Sequence, residues 1–280
     1  MANGKTTRAP EAPPLYTDPA QIEEAVQHLL EQDLADVDLS DPTEGFVPTA
    51  SSKVIISRLR DAVEGGFGFA LVTGPAGCSK TLTTRYFIDN LRRRSPELNS
   101  QWLKCHPIFD QNALLEALAV VNVISRTRKF RDLLRSVESQ MRTRRLVMVL
   151  DEAQNMPREA LEVLKYLGDE TGATFILVCT EDYQGNIRRY RDIESRIGVV
   201  AEAAPTPLRE LAELELVSGF GGEAVETIHK LTGGVLRDVF RLVRQVDLFI
   251  ANNKRLARGS LTPKTVRLVA TKINLEGGRE

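Results

Sequence analysis

The apolar run Phe67-Gly-Phe-Ala-Leu-Val-Thr73 leads directly into Gly74-Pro-Ala-Gly-Cys-Ser-Lys-Thr81, and this stretch decides the fold of the 280-residue chain. A strand that enters a glycine-rich turn and then a helix aims backbone N–H groups at a bound phosphate. In such a loop Lys80 neutralises β- and γ-phosphate charge, and the Thr81 hydroxyl ligates Mg²⁺. The sequence therefore predicts a P-loop for ATP and Mg²⁺, with the candidate nucleotide ligands Gly74, Pro75, Ala76, Gly77, Cys78, Ser79, Lys80, Thr81 and Leu82.

One position of this loop departs from the usual pattern. Glycine normally stands immediately before the lysine, and here the residue is Ser79. Glycine adopts left-handed backbone conformations at little cost, whereas other residues do not. If the loop needs that conformation, we expect it to be slightly remodelled around Ser79.

A second strand carries the acidic half of the site. Arg145-Leu-Val-Met-Val-Leu150 has the continuous apolar pattern of a buried parallel strand and ends in Asp151-Glu152-Ala153-Gln154. We expect Asp151 to hold Mg²⁺ and Glu152 to orient or deprotonate the attacking water. Both motifs follow parallel strands, so they should meet at the carboxyl edge of one sheet, where such sheets bind ligands.

The rest of the pattern sets the fold class and the domain boundaries. Helical segments at 51–64, 80–94, 112–121, 129–141 and 158–171 alternate with strands at 68–73, 101–105, 146–150 and 174–179, which predicts an α/β fold with helices on both faces of a parallel sheet. After Pro205 the segments 208–218, 222–232, 236–252 and 262–273 indicate helices and no strand. We expect a nucleotide-binding core at 46–204, and a small helical lid domain with a short basic tail at 205–280.

The first 45 residues form a separate acidic extension. They hold two basic residues against ten acidic ones, so they carry a charge of −8 in a chain of net charge −1. Residues 1–17 are rich in Pro and polar residues, which predicts disorder, and Asp18-Pro19 is typical of a helix start. We therefore expect a partly disordered extension at 1–45 with one short helix at 18–34.

Four further residues are candidates for contact with the phosphates. Thr180 ends the strand at 174–179, where a polar sensor can reach the γ-phosphate. The run Ile187–Arg196 is dense in arginine, and an arginine supplied in trans stabilises charge on a transferred phosphoryl group. Arg196 is the first choice for this role and Arg189 the second. Arg237 starts a lid helix, where the macrodipole disfavours a cation, which suggests that it reaches the phosphates.

Together these motifs resemble the Walker A, Walker B, sensor 1, arginine finger and sensor 2 of AAA+ ATPases. The DEAQN form at 151–155 and the small size resemble the transposition regulators, the phage Mu B protein and the TnsC/TniB-type ATPases. That resemblance implies ATP-dependent rings or filaments on double-stranded DNA that recruit a transposase, with or without a target-selection protein, and slow, regulatory ATP hydrolysis. It also implies that Pro48, in the FVPT segment at 46–49, lies beside the adenine.

Charge along the chain agrees with a polyanionic partner. Residues 85–145 hold thirteen Lys and Arg against six Asp and Glu, and residues 251–280 hold seven against two. The resemblance places a DNA-contacting loop between the second strand and Walker B. The candidate phosphate contacts, which would not read bases, are Lys104, Arg126, Thr127, Arg128 and Lys129.

Other classes of function are less consistent with the sequence. A secretion ATPase of the ExeA type normally carries a membrane segment, and no run of about 20 apolar residues is present here. A signalling or defence switch that acts on protein partners stays open, whereas a metabolic kinase would not need the finger and sensor residues. With no signal peptide and three scattered cysteines, we expect a cytoplasmic protein with reduced thiols and no zinc site.

Overall fold

Five parallel strands form the centre of the computed structural model, which describes residues 46–124, 129–187, 189–252 and 256–275. The strands are β1 (Phe69–Thr73), β2 (Asn99–Lys104), β3 (Leu146–Asp151), β4 (Thr174–Val178) and β5 (Ile197–Glu202), and their order in the sheet is β2-β3-β4-β1-β5. The α/β class with a parallel sheet is confirmed. The expected helix at 18–34 and the candidate DNA contacts Arg126, Thr127 and Arg128 lie outside the described residues.

The strand register brings the expected site residues to one level. Asp151 at the end of β3 pairs with Val178 of β4, and Val178 pairs with Val72 of β1. The loops after β1, β3 and β4 therefore start side by side. Because β4 lies between β3 and β1, the loop that begins with Cys179 and Thr180 is flanked by the two nucleotide motifs.

Helices cover both faces of the sheet. The helices α1 (Ala50–Glu64) and α2 (Lys80–Arg94) contact one face, and α3 (Gln111–Val121), α4 (Phe130–Thr143) and α5 (Arg158–Thr171) cover the other. Alternate strand residues explain this, since Leu71, Leu150 and Leu177 join the core under α3, α4 and α5. Their neighbours Val72 and Val149 are equally buried and, by strand alternation, face α1 and α2.

The fifth strand was missing from the sequence prediction. The sequence pattern predicts neither a helix nor a strand at 197–202, whereas in the structure β5 pairs with β1 there, with Val200 opposite Leu71. The strand is at the sheet edge and is only half buried, and Gly198 and Glu202 interrupt its apolar pattern. A strand of this kind is defined by its long-range partner, which the local sequence does not show.

The remaining helices lie on either side of β5 in the chain. The helices α6 (Glu181–Ile187) and α7 (Arg191–Glu194) precede β5, and α8 (Leu208–Glu213), α9 (Gly222–Thr232), α10 (Leu236–Ala251) and α11 (Pro263–Thr271) follow it. The prediction of one helix at 208–218 was wrong. Leu214 takes extended backbone angles after α8, and a separate 3-10 turn follows at Glu215–Val217.

The helices after β5 pack around their own apolar core. Helices α9, α10 and α11 contact one another, and their buried core includes Ile228, Val239, Leu242 and Val266. The boundaries of the two expected domains, 46–204 and 205–280, stay a prediction. No helix in the described part of the chain is both long enough and apolar enough to cross a membrane.

Candidate nucleotide site

The loop between β1 and α2 has three residues with positive φ. Gly74 (φ 131°) and Gly77 (φ 93°) leave no room for a side chain. A Cβ at Gly74 would overlap the carbonyl of Ala203, and one at Gly77 would lie 2.7 Å from a methyl group of Val235. These two glycines therefore allow the loop to pass close to the backbone after β5 and to the start of the lid helices.

Ser79 is the third of these residues, with φ 58° and ψ 15°. This is the left-handed conformation that glycine adopts at little cost, and a non-glycine residue pays about 1–3 kcal/mol there. Helix α2 nevertheless begins at Lys80, and the N–H of Thr83 donates to the Ser79 carbonyl at 2.9 Å. The loop therefore uses a left-handed residue immediately before Lys80, and the serine carries the strain.

The Lys80 ammonium is turned into the loop. Its Nζ donates to the carbonyl of Gly74 at 2.6 Å and to that of Pro75 at 2.8 Å. Burial lowers the pKa of Lys80, and nearby acidic groups, including Asp151 and Glu152, oppose that effect. A cation held in this way, at the N-terminus of a helix, is well placed to exchange carbonyl oxygens for phosphate oxygens.

Thr81 and Asp151 meet across the two motifs. The Thr81 hydroxyl donates to Oδ2 of Asp151 at 2.9 Å, and Asp151 is 3% exposed. Burial raises the pKa of Asp151, while the hydrogen bond from Thr81 lowers it. A hydroxyl oxygen and a carboxylate oxygen at this distance form the hard-oxygen pair that Mg²⁺ prefers.

The residue after Asp151 also has an unusual backbone. Glu152 has φ 57° and ψ 41°, and its side chain accepts a hydrogen bond from Nε2 of Gln154. Its carbonyl accepts from the N–H of Asn155 at 2.9 Å, and Nδ2 of Asn155 donates to the carbonyl of Cys105. The turn after β3 is thus tied to the loop after β2.

A cavity of about 300 Å³ lies where the loops after β1, β3 and β4 meet. Its lining includes Ala76, Gly77 and residues 79–82 of the first loop, the acidic pair Asp151 and Glu152, and Thr180 after β4. Gly74, Pro75 and Cys78 do not line it, although the carbonyls of Gly74 and Pro75 hold Lys80. Four further residues line the cavity and were not among the predicted ligands: Gln154, Val178, Cys179 and Phe240. Gln154 belongs to the acidic motif, and Val178 and Cys179 belong to the strand that Thr180 ends, so only Phe240 lies outside every motif.

The lid helices contribute Arg237 to this cavity. Its backbone N–H donates to the Gly77 carbonyl at 3.2 Å, and its exposed side chain lines the opening. The structure thus places Arg237 beside Gly77 at the cavity, and its expected reach across the cleft to the phosphates stays a prediction.

Pro48 does not line that cavity. It lies in a second cavity of about 920 Å³ together with Phe46, Val47 and residues of α10. The Phe46 ring stacks on Tyr86 of α2 at 4.5 Å, which holds the 46–49 segment against the core. Phe240 lines both cavities, so the two spaces adjoin at this side chain.

The two arginines expected to act in trans are outside both cavities. Arg196 donates two hydrogen bonds from Nε and one from Nη2 to the Asp169 carboxylate, and another from Nη1 to the Asp192 carbonyl at 2.6 Å. These carboxylate bonds raise the pKa of Arg196. Arg189 is exposed.

Two of the candidate DNA contacts are described. Lys104 is exposed at the end of β2, where its register partner is Asp151, and Lys129 is exposed immediately before α4. Lys104 therefore lies on the same edge of the sheet as the nucleotide cavity. Arg126, Thr127 and Arg128 are among the residues that the structure does not describe.

Comparisons with known proteins agree on the kind of fold. Residues 63–186 match a family described as an AAA domain. The chain is similar to the Cdc6p structure of Pyrobaculum aerophilum, with 16% identity and a TM-score of 0.66 over 82% of this chain and 70% of that one. The Orc1 protein of Aeropyrum pernix, solved in complex with DNA, gives 15% identity and a TM-score of 0.62 over 84% and 68%.

A third similar structure is the RuvB Holliday junction branch migration motor of Thermotoga maritima. It is 18% identical, with a TM-score of 0.57 over 89% of this chain and 76% of that chain. No curated protein matches the sequence. At these identities the likeness concerns the fold, and the site itself has to be argued from its own residues.

Proposed function

From an α/β fold of the AAA+ P-loop ATPase type, with an AAA domain at 63–186, we propose an ATPase that assembles on double-stranded DNA and recruits or activates a transposase. One observation carries the ATPase part. Side chains from three adjacent strand ends and from the lid helices converge on a single cavity that contains Lys80, Thr81, Asp151, Glu152, Thr180 and Arg237. The lysine, the hydroxyl and the carboxylates are the groups that phosphoryl transfer needs.

The triphosphate would lie in the smaller cavity and the base in the larger one. Lys80 would exchange the Gly74 and Pro75 carbonyls for β- and γ-phosphate oxygens, and N–H groups at the start of α2 would bind the remaining oxygens. The second cavity is apolar on the side of Phe46, Val47 and Pro48, which suits the face of an adenine ring. Phe240, between the cavities, would contact the nucleoside.

Thr81 and Asp151 would hold Mg²⁺. Magnesium is commonly bound through one or two protein oxygens, with substrate phosphates and water completing the shell, and the Thr81–Asp151 pair fits that arrangement. The ion would supply charge neutralisation between the β- and γ-phosphates. The buried Asp151 carboxylate needs such a cation, because burial alone favours its neutral form.

Hydrolysis would then be performed by Glu152 and Thr180. Glu152 would accept a hydrogen bond from the attacking water and take up its proton, while the Thr180 hydroxyl would donate to the γ-phosphate. Arg237 would neutralise charge on the opposite side, since its guanidinium is exposed at the opening of the cavity. Slow, regulatory turnover remains part of the proposal.

An arginine from a neighbouring subunit would complete the site. Arg196 is the first candidate and Arg189 the second. The ion pair between Arg196 and Asp169 is partly exposed, with 36% and 46% of the two side chains accessible, so a stronger anion can compete for this arginine at modest cost. A ring or helical filament would bring this surface to the next subunit's cavity.

The proposed DNA contact comprises Lys104, Lys129 and residues 126–128. The two described lysines are exposed, and their side chains can reach phosphates without reading bases. The similar Orc1 structure is a complex with DNA, and RuvB is named a Holliday junction motor, which supports a DNA partner for this chain. The transposase partner rests on the DEAQN sequence alone.

The experiment that tests this function measures binding to random-sequence duplex DNA with ATP, ADP or no nucleotide, at two salt concentrations, with particles imaged by electron microscopy. We expect ATP-dependent rings or filaments whose affinity falls as salt rises. The variant Lys104→Ala with Lys129→Ala should weaken binding. A matched control, Lys53→Ala with Arg58→Ala, removes the same charge from the exposed face of α1, outside both basic regions, and should not.

Two outcomes would change the proposal. If nucleotide binds and DNA does not, the ATPase part stands and the partner is a protein, as in a signalling switch. If DNA assemblies form but retain a candidate transposase equally with ATP and with ADP, the recruitment step is wrong.

A further inference from the structure

Gln154 holds the Glu152 side chain while one of its own atoms has no partner. Its Nε2 donates to Oε2 of Glu152. Its Oε1 is fully buried and accepts no hydrogen bond from any residue in the described part of the chain. A carboxylate only accepts hydrogen bonds, so the nitrogen of the amide has to face Glu152 and the oxygen has to be the unsatisfied atom.

Both side chains line the nucleotide cavity with Lys80, Thr81 and Asp151. The backbone of the turn is fixed independently of Gln154, because the Glu152 carbonyl accepts from Asn155 and the Asn155 side chain donates to Cys105. Removing the Gln154 amide should therefore leave the turn in place. What the amide determines is the direction of the Glu152 carboxylate.

Stability does not explain this glutamine. A buried carbonyl without a donor costs folding free energy, and an apolar side chain of similar length would fill the space without that cost. Buried polar atoms that stay unsatisfied in a folded protein call for another explanation, and here the atom belongs to a side chain that holds the expected catalytic carboxylate.

We propose that Gln154 is a positioning residue for ATP hydrolysis, an inference that rests on the proposed ATPase function. By occupying Oε2 of Glu152, the amide leaves Oε1 of that carboxylate as the acceptor for the attacking water. A catalytic group that is held in one orientation reacts faster than one that samples several, because the orientation does not have to be found in each turnover. Gln154 acts through Glu152 and contacts no reacting atom itself.

The first test replaces the amide by a side chain of nearly the same shape, Gln154→Met. We expect kcat for ATP hydrolysis to fall about tenfold or more, since a misplaced catalytic group costs up to about 100-fold. The Kd for ATP should change less than about twofold, and the melting temperature should not fall, because an unsatisfied carbonyl is removed. Gln140→Met, on the exposed face of α4, is the matched control and should leave kcat unchanged.

The second test asks whether the effect passes through Glu152. In a Glu152→Gln background, Gln154→Met should have no further effect on the residual rate, because the group that it positions is absent. An equal additional loss in both backgrounds would show an independent structural role and would overturn the inference. So would an unchanged kcat in the single variant.

These results separate the inference from the function on which it rests. If the unmodified protein shows no ATP hydrolysis with its DNA present, the ATPase proposal and the role of Gln154 both fail. If the unmodified protein hydrolyses ATP and Gln154→Met does so at the same rate, only the role of Gln154 fails.

Discussion

The two sides of the nucleotide cavity are built differently. On the strand side, Asp151 is 3% exposed, Thr81 donates to it, and Lys80 is held by two loop carbonyls. On the lid side, Arg237 is exposed, and its side chain donates no hydrogen bond to another described residue. The groups proposed to perform hydrolysis are thus fixed by the sheet, whereas the proposed ligand contact on the lid side is made by an exposed side chain.

The contact between the two sides is made by backbone. The N–H of Arg237 donates to the Gly77 carbonyl, and Val235 lies so close to Gly77 that no side chain fits there. A lid that is attached through the phosphate-binding loop itself can respond to whatever the loop binds. We therefore expect changes on the strand side to abolish ATP binding or hydrolysis, and changes on the lid side to weaken ATP binding only partly.

The largest effect is expected for Lys80→Ala. This change removes the cation that faces the β- and γ-phosphates, so ATP binding and ATP-dependent assembly should be lost together. A thermal shift assay measures binding, since a ligand that binds only the folded state raises the melting temperature. A variant that still shows the full ATP-dependent shift would contradict the assignment of the cavity.

The next largest effect is expected for Glu152→Gln, also on the strand side, and this variant separates ATP hydrolysis from ATP binding. Glu152→Gln keeps the shape and a hydrogen-bond acceptor but cannot take up a proton, so kcat should fall about 100-fold or more while ATP stays bound. ATP-dependent assemblies should then persist longer, which a dissociation experiment after dilution measures. Failure of this variant to assemble with ATP would show that Glu152 has another role.

On the lid side, Arg237→Ala should have a smaller effect. An exposed arginine that neutralises phosphate charge contributes to affinity, and we expect the Kd for ATP to rise about tenfold, which corresponds to about 1.4 kcal/mol. Stability without nucleotide should be unchanged, because the side chain packs in no core. Arg241→Ala, one turn further along α10, is the control, and an equal rise in Kd for both would remove the special role of Arg237.

The smallest effect concerns the loop that joins the two sides. Ser79→Gly should relieve left-handed strain and raise the free energy of unfolding by about 0.5 kcal/mol, the balance between that strain and the greater flexibility of glycine when unfolded. Ser95→Gly, at the other end of α2 with φ −132°, lacks the strain and should lower stability. Denaturant titration measures the free energy of unfolding of both variants. An equal decrease in both would contradict the left-handed backbone of Ser79.

The sequence predicted the strands on the strand side of the cavity because each of their motifs is local. A buried apolar run that ends in Asp151-Glu152, and another that ends in the glycine-rich loop, define both the strands and the residues that follow them. The helix at Lys80–Arg94 was predicted to the residue, since the loop before it and the basic last turn mark its ends.

The parts that failed depend on distant partners. Strand β5 is recognisable only through its pairing with β1, and the break at Leu214 only through the packing of the lid core. Pro48 does not belong with these failures, because its place beside the adenine stays a proposal, but its position in the larger cavity also depends on a distant contact, the stacking of Phe46 on Tyr86. None of these contacts has a local signature in the sequence.

The sequence by itself determined the fold class and which polar residues follow the buried strands, because strand-end motifs combine periodicity and chemistry within a few residues. Only the tertiary structure decided that Ser79 takes a left-handed conformation, that Arg196 is paired with Asp169, and that the Gln154 amide donates to the Glu152 carboxylate. These facts depend on backbone angles and on side chains that meet through folding. Their physical basis is packing between elements, which spacing along a chain does not encode.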